Sequence, residues 1–226
     1  MRKISIAIDG HAASGKSTTA KLLGKKLGFL PIDTGAMYRA ITLKVLKLGV
    51  PIEDEEKVVE IASNSKIEQK LVNEDVHTYL DGEDVSDEIR NLDVDRYVSR
   101  ISTYPGVRRK LVQIQREMAK EGGVILEGRD IGTVVLPDAD VKIFMTASLE
   151  ERAKRRLKEL EEKDVVSDLE KIKNELRERD YIDSTREDSP LKIAQDAIIV
   201  DTTNLTIEEQ VEVILREIMK RMGEKK

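Results

Sequence analysis

Apolar and polar positions follow two rhythms along this chain. Short β-branched runs recur between longer stretches with helical spacing. Residues 3–9 (KISIAID) predict a buried strand, and residues 16–27 predict a helix closed by Gly28. Residues 29–32 predict a short strand. Residues 36–48 predict a helix closed by Gly49, with Pro51 beyond it, and residues 53–62 a further short helix. The texture then changes. Residues 66–71 and 76–80 predict strands, Asp81-Gly82 is a hairpin signal, and residues 83–85 form the return strand.

Alternation resumes with helices predicted over 93–103 and 105–120 and strands over 124–127, 141–145 and 197–201. Three helix starts carry a capping-box pattern: Ser148 with Glu151, Ser167 with Glu170, and Thr206 with Glu209. Strands separated by helices imply a parallel sheet covered on both faces, interrupted here by a small antiparallel insert. Ligands of such sheets gather at the carboxyl ends of the strands. Asp9, Asp33, residues 127–130 and Asp201 fall at such ends.

Composition narrows the chemistry. The 226 residues include no cysteine, which excludes disulfides, a thiolate nucleophile and cysteine-ligated metals. Only two histidines, His11 and His77, are present, so a multi-histidine metal site is excluded as well. Residues 134–137 and 197–200 are among the longest apolar runs and are far too short to cross a bilayer. Residues 1–8 lack the apolar core of a signal peptide. The expectation is a soluble protein of the cytoplasm with no membrane partner. A net charge of -5 argues against a general nucleic-acid binder. The acid is concentrated in the insert, at Asp81, Glu83, Asp84, Asp87, Glu88, Asp93 and Asp95. That face suits a structural, substrate-clamping role or a protein-docking surface.

The strongest signal is GHAASGKS at residues 10–17, which fits G-x-x-x-x-G-K-[ST] between a predicted strand and a predicted helix. Gly10 and Gly15 let the backbone curl around an anion, and the loop N–H groups with the helix N-terminus supply a positive field. The loop residues His11, Ala12, Ala13 and Ser14, together with Thr18, complete an expected ATP-binding segment. Lys16 places a compact cation on the β/γ-phosphates, and Ser17 places a hydroxyl on Mg²⁺. His11 occupies an unspecified position of the motif and is given no chemistry of its own. A switch GTPase is excluded, because no glycine has Asp three positions before it and no Asn-Lys-x-Asp is present.

Further motifs point to a small kinase. DTGAMYR at residues 33–39 and EGRDIGT at residues 127–133 each follow a predicted strand. Arg152, Arg155 and Arg156 share one helix face by spacing. Arg179, Asp180, Asp183 and Arg186 end the next helix. Taken singly, each group has a plainer reading: a solvated face for the helix arginines, helix-end ion pairs for Arg179, Asp183 and Arg186, a loop cap for Asp130, and a helix cap for Asp33.

Together with YPGVR at 104–108, EGRDIGTVVLPDADVKIF at 127–144 and RERDYIDSTR at 177–186, these motifs resemble bacterial cytidylate kinase over nearly the whole chain. The resemblance implies a P-loop NTPase three-layer α/β fold with a five-stranded parallel sheet. It also implies a small antiparallel β insert in the monophosphate-binding region and a short helical lid. A single kinase domain over 1–226 is expected, with its core near 1–35, 105–147 and 190–226, the monophosphate-binding region near 36–104, and the lid near 148–189. The implied reaction transfers the γ-phosphoryl of ATP to CMP or dCMP, by a monomer using Mg²⁺. By the same resemblance Ser99, Arg108 and Asp130 would face cytosine, and Arg179 and Asp183 the ribose. Arg39, Arg129 and Arg186 would bind the CMP phosphate, while Thr34 and Tyr38 line the acceptor site. Lys16, Arg129, Arg152 and Arg156 would serve catalysis, and Ser17, with Asp33 through water, the metal. The family often has serine at the position of Thr34, and some members have glycine at that of Ser17. Two other readings remain: a related P-loop kinase for another acceptor such as UMP, and a nucleotide-binding module without turnover.

Overall fold

A computed structural model describes residues 3–224. Residues 1–2 and 225–226 of the expected kinase core lie outside the described residues. The described chain begins with β1 (Ser5–Gly10), α1 (Lys16–Leu27), β2 (Leu30–Asp33), α2 (Thr34–Lys47) and α3 (Glu55–Ser63). The insert follows, with β3 (Ile67–Val72), β4 (Asp75–Leu80) and β5 (Glu83–Asp84). Next come α4 (Leu92–Ile101), α5 (Pro105–Ala119), β6 (Val124–Gly128) and β7 (Val141–Thr146). The chain ends with α6 (Leu149–Glu161), α7 (Leu169–Thr185), β8 (Ile198–Asp201) and α8 (Ile207–Glu224).

The five-stranded sheet has the order β2-β6-β1-β7-β8, with all its pairs parallel, and the insert is an antiparallel sheet β3-β4-β5. Side-chain alternation along the strands builds the layers. Ile6 and Ile8 of β1 and Ile125 of β6 pack under α1 and α8, against Leu23, Val211 and Ile214. Ala7, Val124 and Leu126 point to the opposite face, where α2, α4 and α5 supply Met37, Ile41, Val98 and Leu111. Full burial of each such side chain contributes about 1.5–3 kcal/mol, so these two layers hold the fold. A third, smaller cluster joins α6 and α7 through Ala153, Leu160, Ile172 and Leu176 and includes Ala12 of the anion loop.

The insert is tied to the edge strand of the main sheet by one buried side chain. Gln69 Nε2 donates to the Asp33 carbonyl at 2.8 Å, and its Oε1 accepts the Asp33 N–H at 3.0 Å. The amide thereby takes the place of a neighbouring strand at the open edge of β2. The exposed pairs Lys21–Asp75 and Lys25–Glu74 also span insert and α1, but such pairs contribute little each. Both hairpin turns of the insert use left-handed backbone, at Asn73-Glu74 and at Asp81-Gly82. The first of these is a turn that the sequence pattern did not mark.

Local differences from the expected elements have physical causes. Helix α2 starts at Thr34 rather than residue 36, because the Asp33 side chain accepts the Ala36 N–H and caps it. Helix α7 is capped by Asp168, which accepts from Lys171 N, and not by Ser167. Ser148 accepts the Glu151 N–H as expected, and Thr206 with Glu209 closes both bonds of a capping box. Residues 131–135, which straddle the EGRDIGT motif and the apolar run at 134–137 and for which no element is predicted, form a π-helical turn. Both carboxylate oxygens of Asp9 accept N–H groups of that turn, from Ile131 and Gly132 at 2.7 Å each. Asp9 is thus an anchor beneath the strand ends.

Candidate active site

The anion loop leaves β1 at Gly10, whose φ is 149°; a Cβ there would stand 2.0 Å from the Met145 carbonyl oxygen on β7. Only glycine fits so close to a neighbouring backbone. Gly15, with φ 93°, precedes α1, and no side chain caps that helix. Its first N–H groups are therefore open to an anion. Lys16 is buried, and its Nζ donates to the His11 carbonyl at 2.6 Å across the loop. His11 turns away toward α7, with Nδ1 3.3 Å from Asp180 and its ring edge-on to Phe144.

Register brings three strand ends together: Asp33 of β2 lies beside Glu127 of β6, and Gly128 beside Asp9 of β1. Glu127 is buried and accepts the Ser17 hydroxyl. Burial, with Asp33 adding to it, pushes the Glu127 carboxyl upward. Burial, with Arg129 beside it, pulls the Lys16 ammonium downward. The Thr34 hydroxyl donates to the Glu127 carbonyl at 2.8 Å.

One cavity of about 590 Å³ joins the loop to the arginine-rich side of the molecule. All of Thr34, Tyr38, Arg39, Ser99, Arg108, Arg129, Asp130, Arg179, Asp183 and Arg186 line it, as do Ala12, Ala13, Gly15, Lys16, Ser17, Thr18, Asp33 and Arg156. Gly10, His11, Ser14 and Arg152 are not among its lining residues.

At the inner end Arg108 pairs with Asp130, and both are buried. Arg108 also donates to the Ser102 carbonyl at 3.1 Å, and its guanidinium lies 5.6 Å from the Tyr38 ring centre. Burial pushes the Tyr38 phenol up to about 12, so it stays a neutral donor. Arg108 Nε is buried without a hydrogen-bond acceptor. Beside this pair, Arg129 Nε donates to Asp183 at 2.7 Å, and Arg186 donates twice to the Ser189 carbonyl. Burial opposes ionisation of Asp183, but Arg129 and Arg179 more than offset it and hold the carboxyl below its ordinary range. Burial and the neighbouring Arg129 lower Arg179 to about 10, which still leaves it charged at neutral pH.

The three arginines of α6 divide. Arg152 is buried and binds the Ala147 and Ala12 carbonyls and, at 2.7 Å, Asp180. Arg155 binds Thr202, whose hydroxyl in turn meets the Ser14 carbonyl. Only Arg156 of the three reaches the cavity, where it pairs with Asp95 and Glu159. Shared spacing on α6 therefore does not give them a shared role. Sequence reasoning named Glu127 and Asp180 only as members of motifs, with no role of their own, and gave none to Asp95 or to Asp188, whose Oδ1 lies 3.9 Å from Arg108 Nε. Glu127 had a signal, a carboxylate closing an apolar strand. Asp95 had none, being one acid among many in the insert.

An anion loop with a buried lysine at one end of a cleft, faced by arginines from α2, the residue after β6, α6 and α7, belongs to a phosphoryl-transfer enzyme of the P-loop kinase class. The particular family follows from comparison. The cytidylate kinase family model matches residues 6–220, and the chain belongs to that family. It is 52% identical to a cytidylate kinase of Caldicellulosiruptor saccharolyticus, over 99% of each chain. It is 54% identical to one of Caldanaerobacter subterraneus subsp. tengcongensis, over 96% of this chain and 95% of that one. Among solved structures, an uncharacterized protein from Eubacterium ventriosum aligns with a TM-score of 0.52 at 13% identity, covering 96% of this chain and 99% of its own, a likeness of fold.

Proposed function

We propose that the chain phosphorylates CMP and dCMP from ATP, by direct in-line transfer, in pyrimidine nucleotide metabolism of the cytoplasm and as a monomer. The observation that carries this reading is the Arg108–Asp130 pair, buried in the same cavity as Lys16 and the anion loop. Cytosine presents an exocyclic amine and two acceptors. Asp130 accepts from the amine, and Ser99 and Arg108 Nε, which has no hydrogen-bond acceptor although Asp188 Oδ1 lies 3.9 Å away, supply donors. Uracil reverses two of those polarities and would leave buried groups unpaired. Arg179 and Asp183 hold the ribose, and Arg39, Arg129 and Arg186 take the acceptor phosphate.

The loop N–H groups and Lys16 hold the β- and γ-phosphates of ATP. Arg129 and Arg156 reach the transferring group from the end of β6 and from the lid and offset the charge spread over its oxygens. The attacking phosphate oxygen is already anionic, so no general base is required. Closure of α6 and α7 over the cleft excludes water. Among the described residues no cluster of three His, Asp or Glu side chains could hold a metal by itself. The Ser17 hydroxyl with the Asp33 and Glu127 carboxylates forms a hard-oxygen set on the cavity wall, which suits Mg²⁺ completed by water and phosphate oxygens. When bound, Mg²⁺ neutralises phosphate charge.

The test is an acceptor panel with Mg-ATP. CMP and dCMP should be converted at least ~100-fold more efficiently than UMP, AMP or GMP. Equal rates on UMP would sink the cytosine assignment, and binding without turnover would leave a nucleotide-binding module.

A further inference from the structure

Asp95 on α4 divides its carboxylate between two arginines from opposite walls of the cleft. Oδ1 accepts from Nη1 of Arg39 on α2, and Oδ2 accepts from Nη2 of Arg156 on α6 at 2.6 Å. All three side chains line the cavity. They are partly shielded from water, with 19%, 17% and 27% of the Arg39, Asp95 and Arg156 side chains exposed. Arg39 has one further contact, to the Ile89 carbonyl at 3.4 Å, and Arg156 one to Glu159 at 3.1 Å. Burial opposes the charge on Asp95, but Arg39 and Arg156 outweigh it and keep the carboxyl ionised at neutral pH.

A single negative charge therefore sits between two positive ones, where the function proposed above places a phosphate on Arg39. An arriving phosphate dianion is drawn by Arg39 and repelled by Asp95 at close range. Both anions also compete for the same donor, since Nη1 of Arg39 already points at Asp95.

We propose that Asp95 is a positioning residue that stands in for the acceptor phosphate, joining Arg39 to the lid's Arg156 in the ligand-free cleft and giving up Arg39 when the acceptor binds. The inference rests on the reading of Arg39 as a phosphate-binding residue. Asp95 then stabilises the ligand-free arginine cluster at the expense of acceptor affinity. It also couples the two walls, because releasing Arg39 loosens the hold on Arg156.

Asp95→Asn in the full chain keeps the shape and removes the charge. Calorimetric titration with CMP at low salt should show binding roughly fivefold tighter than in the parent protein. The KM for CMP should fall. The ligand-free Tm should drop by a few degrees, and the rise in Tm on adding CMP should grow. Asp95→Ser, read in the same way, serves if the asparagine variant does not fold. Weaker or unchanged CMP binding in the folded variant overturns the proposal, since an anchor that merely orients Arg39 would lose affinity when removed. Arg39→Met separates the two layers of inference and should weaken CMP binding about tenfold or more. If it does not, the phosphate assignment of Arg39 falls and the proposal with it. If it does while Asp95→Asn also weakens binding, only the role of Asp95 is overturned.

Discussion

The Ser17 hydroxyl donates to the carboxylate of Glu127, joining the anion loop to the end of the adjacent strand β6. The same carboxylate is the charge that most offsets the buried Lys16. Loop lysine, loop hydroxyl and strand-end acid therefore act as one unit. Glu127→Gln preserves volume and removes that charge. It should reduce kcat by about 100-fold and raise the Mg²⁺ concentration needed for half-maximal rate. Steady-state kinetics against a Mg²⁺ titration checks both. An unchanged Mg²⁺ requirement would remove Glu127 from the metal-binding set.

The inner end of the cleft makes a different prediction. Asp130→Ala removes the nearer carboxylate of the Arg108 guanidinium, 2% exposed, and leaves it only Asp188, whose Oδ1 is 3.9 Å from Nε. Stability should fall by about 2–4 kcal/mol, below the full cost of an unpaired buried charge because Asp188 remains. CMP turnover should drop far more than ATP affinity. Urea unfolding and separate nucleotide titrations measure the two effects. Equal losses for ATP and CMP would argue that Asp130 supports the whole cleft rather than the acceptor end.

Gly10→Ala tests the loop backbone. Its new methyl would lie 2.0 Å from the Met145 carbonyl oxygen, and backbone cannot give way as a flexible side chain can. The strand end must shift, at a cost of about 1–3 kcal/mol or more. A thermal melt should register the loss, and ATP binding should weaken in step because the displaced backbone is the anion cradle. A variant with parental Tm and ATP affinity would refute the close approach.

Stability should also depend on pH through Asp9. Burial raises its carboxyl from 3.8 to about 6, although the N–H groups of Gly132 and Ile131 pull the other way. Between those values the folded state binds the proton more tightly than the unfolded chain. The contribution of this group is therefore complete below about pH 4 and declines as pH rises toward 6. Asp9→Asn should flatten that segment of the curve. Urea midpoints of both proteins at several pH values across the window provide the check; parallel curves would mean that Asp9 is ionised throughout.

Much of this was legible from residue order. Local chemistry fixed the anion loop, because Gly10, Gly15, Lys16 and Ser17 act within one turn of one another. The strand–helix alternation gave the layered sheet, and the change of texture near residue 64 gave the insert. Side-chain pairing was not legible in the same way. Spacing put Arg152, Arg155 and Arg156 on one face of α6, yet only Arg156 faces the cavity. Asp33 caps α2, one of the two roles its position allowed, because the residue three places on supplies a free N–H at a helix start.

The sequence by itself determined the elements, the anion loop and the stock of arginines and acids. Only the tertiary structure decided which of them meet. The order β2-β6-β1-β7-β8 sets β6 against β1, although well over a hundred residues separate their partners, and so places Glu127 against Ser17. Helical period and loop chemistry act over a few residues. Contacts such as Asp95 with Arg39 and Arg156 depend on how finished helices pack, which no local pattern encodes.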